Sequence, residues 1–148
     1  MYLPYKLLKC SSTGFATTAA ETKVPLTKIN TEEHYTVASD TITVGGDGVY
    51  AFTANIQLQS VELRLQAVLK VYVNGVYDGI ERGAAYIRNG GASYDFWSLR
   101  GYTVLELNKS DTVELYVATR TGTTYGNNGS LNYSVHNAGN EIIMERRS

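Results

Sequence analysis

Over residues 49–58 the chain alternates without a break: Tyr50, Phe52, Ala54, Ile56 and Leu58 are apolar, while Ala51, Thr53, Asn55 and Gln57 between them are small or polar. Strand side chains point alternately to the two faces, so this stretch predicts a β-strand with one oily face and one mild one. The glycine corner Gly45-Gly46-Asp47-Gly48 precedes it. A second alternation runs through Leu63, Leu65, Ala67, Leu69, Val71 and Val73, and a helix would scatter those positions around its circumference. Short β-branched and aromatic runs between turn signals, at roughly 8–12-residue spacing, are the pattern of a sandwich or barrel. They predict strands over 24–30, 34–38, 40–45, 49–58, 63–74, 79–88, 93–99, 102–107, 112–119, 131–136 and 141–146.

The turns carry their own chemistry. Asn74-Gly75 supplies the two positive-φ positions of a tight hairpin, and Asn89-Gly90-Gly91 and Asn128-Gly129 do the same in looser loops. Gly101 predicts a bulge or bend inside one long strand. Pro25 has no amide hydrogen, so the first strand lies at an edge or begins just there. The glycine- and asparagine-rich span 119–130 predicts an exposed loop.

Residues 1–23 follow a different rule. Tyr2, Leu3, Tyr5, Leu7 and Leu8 form a small apolar patch around Lys6 and Lys9, and a small, polar, aperiodic run follows over 11–20. Such a segment buries too little of itself to offset its ordering entropy, so it predicts an extended N-terminal arm, either a frayed terminus or an anchor whose Tyr and Leu side chains dock on another chain. The globular domain is expected over 24–148.

Composition narrows the partners. The 148 residues fit one domain, and 13 basic against 14 acidic residues give a net charge of -1 with no long run of either sign. That balance lacks the field that phosphate backbones or anionic membranes select for, so no nucleic-acid partner is expected. No window reaches the roughly 20 apolar residues of a membrane span, and residues 1–10 lack the apolar run of a signal peptide. The reading is a protein made in a host cytoplasm, without membrane insertion. Cys10 is the single cysteine, so no internal disulfide forms. Twelve tyrosines with only 18% charged residues suit a domain that covers part of its surface with copies of itself, because tyrosine joins a large contact area to a polar tip.

Reactive chemistry is sparse. His34 and His136 lie in different predicted strands without zinc-ligand spacing, and Asp40 with Asp47 and Glu32 with Glu33 sit among turn residues as solvated charge. There is no nucleophile elbow, and the corner at 45–48 leads into a strand, so no helix N-terminus holds a phosphate there. No catalytic residue, metal or cofactor is expected. Tyr94, Trp97 and Tyr125 offer a stacking surface for a glycan as an alternative mode of binding.

The order of these signals resembles the C1q/TNF-like jelly roll over about two thirds of the chain. The resemblance is carried by Val24-Pro25-Leu26 with Tyr35, by Ile42-Thr43-Val44 leading to Asp47-Gly48-Val49-Tyr50-Ala51-Phe52, by the strand ending in Asn74-Gly75, and by Leu105-Glu106-Leu107 followed by Asp111-Thr112-Val113. Two departures stand out: Ser110 replaces the usual glycine before Asp111, and residues 134–144 lack the family's closing Phe-Ser-Gly-x-Leu-Leu strand. The resemblance implies an all-β, single jelly-roll sandwich that forms a homotrimer and acts by binding rather than catalysis. Interface candidates are then Tyr35, Ala51, Thr53, Tyr102 and Tyr116. With neither a Gly-X-Y tract nor a leader in view, the chain looks most like the modules of bacteriophage particles. The expectation is a virion protein that decorates or cements a capsid through its arm and one end of the trimer. The alternatives are a receptor- or glycan-binding fibre tip and a secreted C1q/TNF-type ligand.

Overall fold

The structure, a computed structural model, describes residues 6–16, 21–60, 64–88, 95–119, 133–135 and 139–148. Those residues contain strands and no helix: β1 (Lys6–Ser11), β2 (Phe15–Ala16), β3 (Glu21–Lys23), β4 (Thr27–Lys28), β5 (Tyr35–Ala38), β6 (Thr41–Val44), β7 (Gly48–Ser60), β8 (Arg64–Val73), β9 (Val76–Tyr77), β10 (Gly83–Arg88), β11 (Asp95–Leu107), β12 (Thr112–Thr119), β13 (Tyr133–Val135) and β14 (Glu141–Arg146). The first sheet runs β2-β13-β7-β14-β1-β4, with β11 along the other side of β7; the second runs β10-β8-β12-β6-β5, with β3 beside β12 and β9 beside β8. All the pairings are antiparallel.

The oily face of β7 behaves as its pattern requires. Tyr50, Phe52, Ala54, Ile56 and Leu58 enter the core beside Leu99, Leu105 and Leu107 of β11 and Ile142 and Met144 of β14. Leu69 and Val71 of β8, Leu115 and Val117 of β12 and Ile42 and Val44 of β6 close it from the second sheet. Burying such side chains contributes roughly 1.5–3 kcal/mol each, which is the main stabilising term.

Residues 6–11, expected in the arm, are instead β1. Its register joins β14 from Lys6↔Arg146 to Ser11↔Glu141, and Leu8 and Cys10 are 0% exposed in the core. Lys6, Leu8 and Cys10 alternate with Leu7 and Lys9, a strand pattern that has value only beside its distant partner. Burial also pushes the Cys10 thiol up to about 11, so it is an inert apolar plug. The expected strand over 24–30 contracts to β4, although Val24 and Leu26 still reach the core. Conversely, 93–99 and 102–107 merge into the single strand β11. The expected loop over 119–130 lies outside the described residues beyond Thr119.

Gly101 lies inside one long strand, as expected, but makes no bulge. β11 pairs with β7 continuously from Asp95↔Ser60 to Leu107↔Gly48. The glycine lets β10 approach: the Tyr102 amide donates to the Arg82 carbonyl at 3.3 Å, and a Cβ on Gly83 would lie 2.0 Å from the Arg100 carbonyl oxygen. This closes one side of the sandwich with backbone. Side chains close the other: the Lys28 ammonium donates to the Tyr35 and Glu32 carbonyls, and the Leu26 amide donates to Asp40 Oδ1 at 2.9 Å.

Two local features carry predictions. Along one side, β7 changes partner from β13 at Leu58 to β14 at Asn55, and Asn140 fills the gap: its Oδ1 accepts the Gln57 amide at 2.8 Å and its Nδ2 donates to the Ser12 carbonyl at 3.0 Å. Asn140→Ala strands the buried Ser12 carbonyl and the part-buried Gln57 amide and is expected to cost about 2–4 kcal/mol, read from the urea midpoint. Ser110 has φ 76°, the left-handed region its family resemblance assigns to glycine. Ser110→Gly is expected to raise stability by about 0.5–1 kcal/mol in the same assay, and a loss would show that the serine is not strained.

Candidate assembly surface

The outer face of the first sheet is built from the odd partners of the core residues. Register lines up Lys9, Ile143, Thr53 and Tyr102 in one row across β1, β14, β7 and β11, and Leu7, Glu145, Ala51 and Val104 in the next. Tyr102 is 59% exposed and Val104 53%, on the strand whose opposite face supplies Leu105 and Leu107 to the core. Thr53 is exposed, Ile143 and Leu7 are half-buried, and Ala51, flanked in register by Val104 and Glu145, is 4% exposed. Charge borders and interrupts this apolar stripe: Arg100 and Glu106 on β11 and Lys9 on β1 stand at its margins, and Glu145, held by Arg147 at 3.0 Å, lies within it between Leu7 and Ala51. A flat, mildly apolar face with a charged rim fits contact with a protein surface.

Of the expected interface residues, Ala51, Thr53 and Tyr102 therefore share this face. Tyr35 does not. It is 1% exposed inside the chain, with its hydroxyl donating to the Lys6 carbonyl at 2.8 Å, and burial with the nearby Tyr50 pushes the phenol above its ordinary value. A side chain enclosed by its own core has no surface to offer a neighbour. Tyr116 lies on the outer face of the second sheet, 4.5 Å ring to ring from Tyr72, which in turn stacks on Tyr77 at 5.6 Å. Lys70 sits over the Tyr77 ring, and Tyr72 donates to Glu21, whose carboxylate pushes that phenol up to about 12. The rings thus cover one another's faces.

Among the expected arm residues, Leu8 is core, Leu7 lies on the outer face, and Tyr2, Leu3 and Tyr5 fall outside the described residues. Tyr94 and Tyr125 also fall outside them, and Trp97 is described only by its backbone, paired with Leu58 in β11.

Sequence reasoning missed Val104 and Ile143. Each is a β-branched apolar residue out of phase with the buried set of its own strand, and that phase is the signal that could have found them. It also missed an open cleft of about 520 Å³ lined by Lys6, Leu7 and the loop 30–34, at the margin of the same sheet. There Glu32 accepts the His34 amide at 3.0 Å and faces Lys6 at 3.7 Å; the backbone bond foremost, with the Lys6 ammonium, holds its carboxyl below the ordinary value against some desolvation. Among the described residues no three His, Cys, Asp or Glu side chains gather as a metal site.

No protein-family model and no curated protein matches the sequence. Solved structures do. Murine APRIL at pH 8.0 superposes with a TM-score of 0.66 at 12% identity, covering 97% of this chain and 100% of that one. Eiger TNF from S. frugiperda gives 0.67 at 13% identity, covering 99% and 94%. At such identities the likeness speaks for architecture alone. Two antiparallel sheets in this order, matched over nearly the full length of both chains, make this an all-β sandwich with the TNF-like jelly-roll fold.

Proposed function

We propose that the chain is a non-enzymatic binding protein that assembles as a homotrimer through the outer face of its first sheet. The observation that carries this reading is the exposed Tyr102 and Val104 pair, continuous in register with Ala51, Thr53 and Ile143. Burying the exposed parts of two such side chains contributes on the order of 1–3 kcal/mol per copy. Association costs about 4–15 kcal/mol, so the whole face must engage and not the two side chains alone. Similarity to TNF-like structures supports a threefold arrangement. Light scattering tests it: the expected mass is three times the 16.3 kDa of the chain, and a single-chain mass at micromolar concentration rejects it.

Within that reading the trimer is a virion component, made in the host cytoplasm, that decorates or cements a phage capsid. The segment carrying Tyr2, Leu3 and Tyr5 precedes β1 in the sequence and is the proposed footing on the shell. Deleting residues 1–5 is expected to leave the trimer intact and to abolish binding to capsid shells. Unchanged shell binding removes the footing role, and absence of the protein from purified particles removes the virion role.

A further inference from the structure

The loop between β4 and β5 sets an imidazole against the glycine corner that opens β7. The His34 carbonyl accepts the Gly45 amide at 2.8 Å, and its ring Nε2 lies 2.6 Å from Tyr50 Oη. The ring stacks on Tyr50 with centroids 5.9 Å apart and meets Tyr35 edge-on at 4.9 Å. Tyr50 Oη donates its one hydrogen to the Gly46 carbonyl at 2.6 Å, so His34 Nε2 is the donor to Tyr50 and Nδ1 is the bare nitrogen of the neutral ring. The same corner is tied to the end of β14. Arg146 donates to the Asp47 carbonyl at 2.5 Å, the Val49 amide to Ser148 at 2.9 Å, and the Arg147 amide to Val49 at 2.7 Å.

Charges reach this point from every element around it. Lys6 comes from β1, Arg146 from β14 and Asp47 from the corner; Glu32 and Glu33 belong to the loop itself, and Lys28 of β4 ties the loop to Tyr35. Arg146 is already under-satisfied, because its buried Nε has no hydrogen-bond partner among the described residues. A second cation beside it adds repulsion that Glu32 only opposes in part.

We propose that His34 is an acid-sensitive latch: neutral, it clamps the β4–β5 loop to the glycine corner that the end of β14 also holds; protonated at Nδ1, it adds a cation to the corner where Arg146 sits and loosens that end of the sandwich. Burial foremost, then Arg146 and Lys6 against the opposing Glu32, holds the imidazole below its ordinary 6.5. A depressed folded value means that the unfolded chain takes up the proton first. The stabilisation is therefore complete above about pH 6.5 and is lost as pH falls through the folded midpoint. Glu32, itself held below 4.5, stays charged through the upper part of that window.

Two measurements on the full chain decide the matter. The His34 ring protons, followed by NMR from pH 8 to 4, are expected to titrate with a midpoint below 6.5. Amide exchange protection at Gly45, Val49 and Arg147 is expected to fall several-fold between pH 7 and pH 5, beyond the change at Leu115 in the core. His34→Gln keeps an N–H for Tyr50 without a titrating ring, and its protection is expected to be flat over that range. A wild-type midpoint at or above 6.5, or unchanged protection while the ring titrates, overturns the latch even if the variant does not fold. The latch is a property of one chain, so its outcome is independent of the oligomer measured by light scattering.

Discussion

Gly83→Ala is expected to destabilise the folded chain by about 3 kcal/mol or more, and to do so with a methyl group. The added carbon would stand 2.0 Å from the Arg100 carbonyl oxygen and 2.8 Å from its carbon, and both are backbone. No side-chain rotation relieves that contact. β11 cannot retreat either, because it is paired with β7 along its whole length. Relief requires β10 to peel away, which sacrifices the bond from the Tyr102 amide to the Arg82 carbonyl and opens the margin over Leu69. Gly79→Ala is the control. Gly79 has φ 85° and nothing within 4 Å, so its cost is backbone strain alone, about 1 kcal/mol. Urea unfolding of both variants separates crowding from strain, and equal losses would mean that the close approach of the two sheets is not what demands glycine at 83.

Replacing Tyr102 and Val104 together by lysine is expected to convert the proposed trimer to single chains. Both side chains are more than half exposed, so the fold of one chain loses little. In the assembly six ammonium groups would be brought into a face that must shed water. Like-charge juxtaposition and desolvation cost several kcal/mol, and roughly 4 kcal/mol is a thousandfold in dissociation constant. Light scattering should show one chain mass where the parent shows three, with the far-ultraviolet spectrum unchanged. A variant that keeps the parent mass would place the contact elsewhere, and the charge-rimmed tyrosine tier around Tyr116 on the second sheet would be the next face to examine.

The strands that pack on both sides were legible because alternation is a local signal. β7 and β8 each announce their buried face within ten residues, and the observed core holds Tyr50, Phe52, Ala54, Ile56 and Leu58 of the first and Ala67, Leu69 and Val71 of the second. β1 was not legible. Its apolar content is two residues deep, and its value comes from lying between β14 and β4, partners that no short window of sequence reveals. Gly101 shows a related limit: the glycine was conspicuous, but the strand that needs its small size arrives from the other sheet. Tyr35 was misplaced because an aromatic beside a turn looks the same whether it plugs a core or faces a neighbour. The His34 cluster joins positions 34, 50 and 146, and only the folded chain brings them together.

The position of β14 between β7 and β1 has a consequence for biosynthesis. During translation β1 emerges first and must wait for more than a hundred residues, while the long β7 stands with one flank bare until residues 141–146 leave the ribosome. Sheets assembled from such remote pairings form slowly, in milliseconds to seconds, and exposed flanks invite aggregation meanwhile. Ribosome-stalled chains that stop short of Glu141 should therefore be held by chaperones or pellet, whereas chains extended past Arg146 by a linker should become protease-resistant.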